Sequence, residues 1–271
     1  MPLPISFSTL ACPDWDLDTI IARAVKYGYD AVDFRVLRRE MQLWKLPEFS
    51  SDVAATRQKL RDAGLALSGF SSSAQMFATS AAKRAEHLQT VARYGELCGL
   101  LDVEYIRVFG GKLDGTPLEE AIDASVEALE QMSDAARPGT VVVETHDDWA
   151  NSHNLAMVLA KASADNVFAL WDLYHPYRLA GESPRETYDN IGRLTRYTHV
   201  KESKPIPGGG FAPVLPGEGD TPLAEMVGLL KAGGYSGYLT LEWEKLWHPD
   251  IADADVALPA YAALLRELAG K

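Results

Sequence analysis

Val141-Val142-Val143-Glu144-Thr145-His146 is a strand that ends in chemistry. Three β-branched apolar residues in a row read as a strand buried on both faces. It then closes on an acid, a hydroxyl and an imidazole. Side chains two apart along a strand point the same way, so Glu144 and His146 share a face. A carboxylate at the end of a buried strand is costly unless a metal, a proton or a partner charge compensates it. Taken alone, Glu144 could equally mark the loop after the strand. The pattern, however, returns three times downstream, at Asp172, His199 and Glu242.

Around this stretch, short apolar runs alternate with amphipathic ones. Strands are expected at Ile5–Leu10, Ala31–Arg35, Leu65–Phe70, Glu104–Phe109, Val167–Trp171, Tyr197–Lys201 and Tyr238–Trp243. Between them lie helical patterns. Asp16 can cap a helix carrying Leu17, Ile20, Ile21, Ala24 and Val25, ended by Gly28. Further helices are expected near 52–63, 81–100 and 154–162, and a last one carries Tyr261, Leu264, Leu265 and Leu268. Thr116-Pro117-Leu118-Glu119 and Ser183-Pro184-Arg185-Glu186 look like capping boxes with proline at the first helical position. Ser71-Ser72-Ser73 reads as a loop after the third strand, and Pro205–Gly219 as a Gly/Pro-rich loop after the seventh. Eight strands alternating with helices, without a composition break, predict one α/β domain over residues 1–271, a closed (β/α)8 TIM barrel. No G-x-G-x-x-G follows the first strand, which argues against a dinucleotide fold.

Composition narrows the function. A hydrophobic fraction of 47% and a charged fraction of 24% suit a soluble globular chain. A formal charge of -12 disfavours nucleic acid as a partner, since an acidic surface repels phosphate backbones. No apolar run is long enough to span a membrane, and Met1–Cys12 lacks the basic and long apolar segments of a signal sequence. Cys12 and Cys98 make no disulfide framework, so a reducing cytoplasm is expected. Cys98 sits in an apolar helical run, and Cys12 has no activating base beside it.

In a barrel, the C-terminal ends of consecutive strands converge on one mouth. Strands five to eight would therefore bring Glu144, Asp172, His199 and Glu242 together. Three carboxylates and one imidazole suit one divalent ion of the Mn²⁺, Co²⁺ or Mg²⁺ type with open positions for substrate. Zinc is the alternative, although structural zinc sites more often use thiolates. Trp15, Phe34, Phe70, Phe109, Trp149, Tyr174 and Trp247 fall near the expected mouth, as the wall of a small-molecule pocket or as barrel-to-helix packing. Arg35 and Arg107 end strands two and four, where each could bind a carboxylate or phosphate or sit in a buried ion pair.

The segments Val143-Glu144-Thr145-His146, Trp171-Asp172-Leu173-Tyr174-His175-Pro176, Thr198-His199-Val200-Lys201-Glu202, Leu215-Pro216-Gly217-Glu218-Gly219-Asp220 and Leu241-Glu242-Trp243-Glu244-Lys245 resemble the xylose isomerase-like TIM barrels, the sugar phosphate isomerase/epimerase group. The resemblance covers essentially the whole chain and is sharpest over 141–250. It implies one divalent ion gripping two adjacent sugar oxygens, with Glu144 and Glu242 as metal-bound acid and base on either side of an enediolate. It also implies substrate contacts from His175, His146 and Lys201, with Lys201 steadying an oxyanion. Homodimers or homotetramers are expected from the same resemblance.

Two departures stand out. Ketose 3-epimerases of the group carry a Glu six residues beyond the first metal Glu and an Arg six beyond the metal His. Here those positions are Ala150 and Pro205. The group's trinuclear-zinc DNA-repair endonuclease needs histidines where this chain has Arg35, Ser71 and Gly110. The expected activity is thus isomerisation or epimerisation of a sugar or polyol-derived substrate. A lyase or dehydratase acting on a keto sugar through the same proton abstraction is the alternative, and a non-enzymatic sugar-binding module is a third reading.

Overall fold

The computed structural model describes residues 2–270. Its barrel strands are β1 (Ile5–Ser8), β2 (Ala31–Phe34), β3 (Ala66–Gln75), β4 (Tyr105–Phe109), β5 (Thr140–Glu144), β6 (Val167–Asp172) and β7 (Thr195–Val200). The short strands β8 (Glu202–Pro205) and β9 (Phe211–Val214) come next in the chain, and β10 (Leu239–Leu241) is the eighth stave. The sheet closes in the order β1-β10-β7-β6-β5-β4-β3-β2, and every neighbouring pair is parallel. The outer layer comprises α1 (Leu17–Tyr27), α2 (Val53–Asp62), α3 (Ala81–Leu101), α4 (Leu118–Ala136), α5 (Ser152–Lys161), α6 (Pro184–Ile191), α7 (Leu223–Ala232) and α8 (Ala254–Ala269). This is the expected (β/α)8 barrel.

Local signals mostly hold. The Asp16 carboxylate accepts from Thr19 N at 2.8 Å, and Gly28 closes α1 in the left-handed region at φ 77°. The Ser183 hydroxyl accepts from Glu186 N at 3.2 Å, capping α6. The box expected at Thr116–Glu119 does not form: Pro117 is itself the cap of α4, with no side-chain bond to the helix start.

Two expected loops are structured instead. β3 runs on through Ser71-Ser72-Ser73 to Gln75. The hydroxyls make this feasible, since Ser71 Oγ donates to Asp33 Oδ2 at 2.8 Å and Ser72 Oγ to Arg107 O at 2.6 Å. Within 205–219, β9 folds back on β8 as an antiparallel hairpin, with Glu202 opposite Val214. Tyr261 of α8 anchors its base, accepting from Glu202 N at 2.9 Å and donating to Val214 O at 2.6 Å.

Strand alternation divides the side chains. Outward, Phe34 and Phe70 pack edge-on to Phe49 at 5.2 and 6.1 Å between ring centroids, and Phe70 meets Tyr94 at 5.2 Å. Inward, Tyr105, Val142, Leu170 and Tyr197 form a separate buried plug. Above this floor the interior turns polar. Tyr197 OH donates to Ser68 Oγ at 2.8 Å, which in turn lies 2.6 Å from Ser6 Oγ. The next inward layer is the candidate site.

Candidate metal centre and active site

Glu144 and Asp172 are the last residues of β5 and β6, His199 is next to last in β7, and Glu242 follows β10 directly. The register sets Asp172 beside His199, and His199 beside Thr240 two residues before Glu242. One donor atom from each of the four lies within 4.8 Å of the others, and all four residues are buried.

The charges inside this cluster are tightly coupled. His199 Nδ1 is 2.8 Å from Glu144 Oε1 and 3.3 Å from Glu242 Oε1. Glu144 Oε2 lies 3.1 Å from Arg107 Nη1. Lys201 Nζ donates to Glu242 Oε2 at 2.5 Å and Glu244 Oε1 at 2.7 Å, and pairs with Asp172 Oδ2 at 2.9 Å. Burial raises the Glu144 carboxyl, but Arg107 and His199 outweigh it and hold the group well below the usual range. Glu242 is raised, burial prevailing over Lys201 and His199. Burial lowers His199, yet Glu242 and Glu144 lift the imidazole to about 10. Lys201 stands well above its ordinary value, because Asp172, Glu242 and Glu244 outweigh its burial.

These residues fit a divalent ion. Three hard carboxylates and an imidazole nitrogen point to a common centre, and Glu144 Oε2 and Asp172 Oδ2, though ion-paired with Arg107 and Lys201, make no aligned hydrogen bond. His199 turns Nδ1 toward the carboxylates and Nε2 toward Asp33 Oδ2, 3.6 Å away. A carboxylate behind a ligating histidine sets its orientation and tautomer.

The other expected site residues fall into distinct places. Asp172 Oδ1 accepts from Tyr174 N at 2.7 Å and His175 N at 3.3 Å, a turn that returns His175 to the mouth. His175 Nδ1 lies 2.8 Å from the Thr145 carbonyl, which can only accept, so Nδ1 carries the proton. Burial pushes His175 down to about 4, so the neutral ring keeps a lone pair on Nε2. His146 sits between Phe109, tilted against it, and His175, edge-on to it, with ring centroids at 4.7 and 4.4 Å, and its Nδ1 is 3.0 Å from Asp147 Oδ2. Asp147 holds that position at φ 51°, in the left-handed region.

Lys201, expected to steady an oxyanion, is buried and ion-paired with Asp172, Glu242 and Glu244, so it ties these three carboxylates to one another. Arg107 backs Glu144, its guanidinium 3.8 Å above the Phe109 ring. Trp15 lines a separate cavity of about 290 Å³ between the loops after β1 and β10, with Cys12, Arg39 and Lys245. Of the expected aromatic wall, Phe109 and Tyr174 stand at the mouth, beside His146 and His175. Phe34 and Phe70 do not, because they occupy the outward face of their strands. Trp149 is fully buried over Gly110, where a Cβ would come within 2.3 Å of Trp149 Cδ1. Cys12 is also buried, which pushes its thiol up and leaves it inert.

Sequence reading missed Asp33 and Glu244. Asp33 sits on the inward face of the apolar strand Ala31-Val32-Asp33-Phe34 and accepts from Ser71 and from Tyr197. An acid inside such a run was the available signal.

Residues 21–265 match the xylose isomerase-like TIM barrel family. The chain belongs to that family. Fructoselysine 3-epimerase of Escherichia coli O157:H7 is 29% identical over 119 residues, which span 43% of this chain and only 42% of that relative. Two solved structures share the fold. The IolI protein with a bound zinc atom superposes with a TM-score of 0.79 at 18% identity, covering 99% of this chain and 98% of that one. D-Psicose 3-epimerase in the presence of D-fructose gives 0.79 at 17% identity, covering 99% and 100%. Among the described residues, no helix is long and apolar enough to cross a membrane.

Proposed function

We infer that the protein is a divalent-metal-dependent isomerase or epimerase of a sugar or related hydroxy-ketone. One observation carries this reading: four donors from successive strand ends converge within 4.8 Å, with Glu144 and Glu242 separated by two intervening strands. A divalent ion there, Mn²⁺, Co²⁺ or Mg²⁺ before Zn²⁺, would polarise a carbonyl and acidify the neighbouring C–H. The chain supplies the rest. Glu144 and Glu242 enter the site from strands with two others between them, one as the carboxylate that takes a proton and the other as the one that returns it. Arg107 holds Glu144 through Oε2, and Lys201 holds Glu242 through Oε2, so each carboxylate turns its Oε1 toward His199. His175 offers Nε2 as an acceptor for a substrate hydroxyl. Phe109, His146 and Tyr174 would line the mouth beside the substrate. Relatedness to a fructoselysine 3-epimerase supports carbohydrate chemistry. The two free, buried thiols accord with a cytoplasmic enzyme.

Deuterium wash-in tests the assignment. Protein loaded with Mn²⁺ or Co²⁺ is incubated in D₂O with ketoses, inososes and 3-keto sugars, and C–H signals are followed by NMR after metal removal. Exchange with a new sugar signal is expected. Exchange with elimination products makes the protein a lyase on the same scaffold. Metal uptake without exchange of any compound overturns the isomerase reading for these substrate classes.

A further inference from the structure

Arg35 is an anomaly in this molecule. It is only 5% exposed, yet among the described residues its guanidinium makes no hydrogen bond and no ion pair, and Nη1 is buried without a partner. Other buried cations are answered: Lys201 by three carboxylates, Arg107 by Glu144, Arg178 by Asp220. A buried, unpaired charge is among the costliest features a fold can keep.

Its placement is not accidental. Alternation along β2 sends Phe34 outward and Asp33 inward onto Ser71 and Tyr197, so Arg35 follows Asp33 to the inner face. Arg35 N and Val36 N both donate to Thr9 Oγ1 at 3.0 Å, which fixes the backbone at that point. Arg107, a like charge that is 2% exposed and whose Nε also lacks a partner, is one neighbour, and the carboxylates of Glu242 and Asp33 act on Arg35 through space without bonding to it. After burial, Arg107 is the main cause that lowers Arg35, to about 10, so Arg35 stays cationic at neutral pH. The hydroxyls of Ser71 and Ser72 are already engaged, and Asp33 Oδ1 is an open acceptor for a hydroxyl.

We propose that Arg35, with Arg107, forms an anion subsite on the β2–β4 side of the mouth, taking a carboxylate or phosphate carried by the substrate whose hydroxy-carbonyl end meets the metal ligands. The assignment rests on the preceding functional reading for the word substrate, but not for the anion. Arg matches such groups with two parallel N–H donors.

The test uses the full chain and three probes: D-erythronate, glycerol 3-phosphate and the neutral polyol erythritol. Mn²⁺ uptake is measured first, then probe affinity by calorimetry and thermal shift, for wild type, Arg35→Met and Arg35→Lys. One anion should bind about tenfold or more tighter than erythritol, and the stronger of the two names the group. Arg35→Met should lose that preference and Arg35→Lys keep part of it. Without probes, Arg35→Met should melt no lower than wild type, because no hydrogen bond or ion pair is lost and a buried charge is removed. Equal binding of all three probes, an unchanged preference in Arg35→Met, or a lowered melting temperature that reveals a protein partner would each overturn the subsite. Mn²⁺ uptake without anion preference removes the subsite and leaves the metal site standing. Absent Mn²⁺ uptake removes the metal reading, and anion preference of the metal-free protein then judges Arg35 alone.

Discussion

The mouth of the barrel has two halves of opposite character. On the β5–β10 side each charge has an ion-pair partner within the protein: Glu144 has His199 and Arg107, and Asp172, Glu242 and Glu244 share Lys201. On the β1–β4 side serine hydroxyls and Asp33 make a lighter network, while Arg35 and one oxygen of Asp33 are left open. The first half is organised in advance, as a site that must hold a small ion at fixed geometry requires. The second is completed only when something binds. Rigidity and specificity are thus assigned to different staves of one sheet.

The largest effect should come from breaking the organised half at its chemistry. Glu144→Gln or Glu242→Gln should lower the exchange rate in D₂O by about 10²–10⁴-fold, the usual worth of a general acid or base, with ligand loss added. An active variant at either position would sink the acid/base assignment.

The sharpest contrast between the halves lies in stability. Lys201→Met leaves three carboxylates facing one another and should cost about 3–5 kcal/mol in urea unfolding without metal. Arg35→Met, also a buried cation removed, should cost nothing. Equal losses would erase the distinction drawn above.

Metal uptake should depend on pH through His199. Without an ion its pKa is about 10, so at pH 7 the ring carries a proton that a coordinating nitrogen must give up. Uptake of Mn²⁺ should therefore release about one proton, and apparent affinity should fall about tenfold for each pH unit below that value. Calorimetry in buffers of different ionisation enthalpy measures the proton count. No release would mean that His199 is not a ligand.

The smallest effect is steric. Gly110→Ala should cost about 1–3 kcal/mol, because a Cβ there meets the Trp149 ring and the ring must shift. A melting curve matching wild type would show that Trp149 is free to move.

Much of this was legible in the chain. Alternation of strand and helix patterns is a local property, and eight repeats of it leave few closed solutions, so the barrel followed from Val141–His146 and its counterparts. The convergence of Glu144, Asp172, His199 and Glu242 followed too, because a parallel barrel places all strand ends on one rim. The continuation of β3 through three serines and the β8–β9 hairpin did not follow. Each depends on partners far along the chain: Asp33 and Arg107 for the serines, Tyr261 for the hairpin.

What the sequence by itself determined is which residue types stand at which strand ends, since period and punctuation are written locally. What only the tertiary structure decided is which charges find each other. Lys201 and Arg35 are both cations at strand ends, indistinguishable in a string of letters. One is ion-paired with Asp172, Glu242 and Glu244, the other makes no ion pair and has a second arginine near it, because pairing is set by distances across the barrel between residues far apart in sequence.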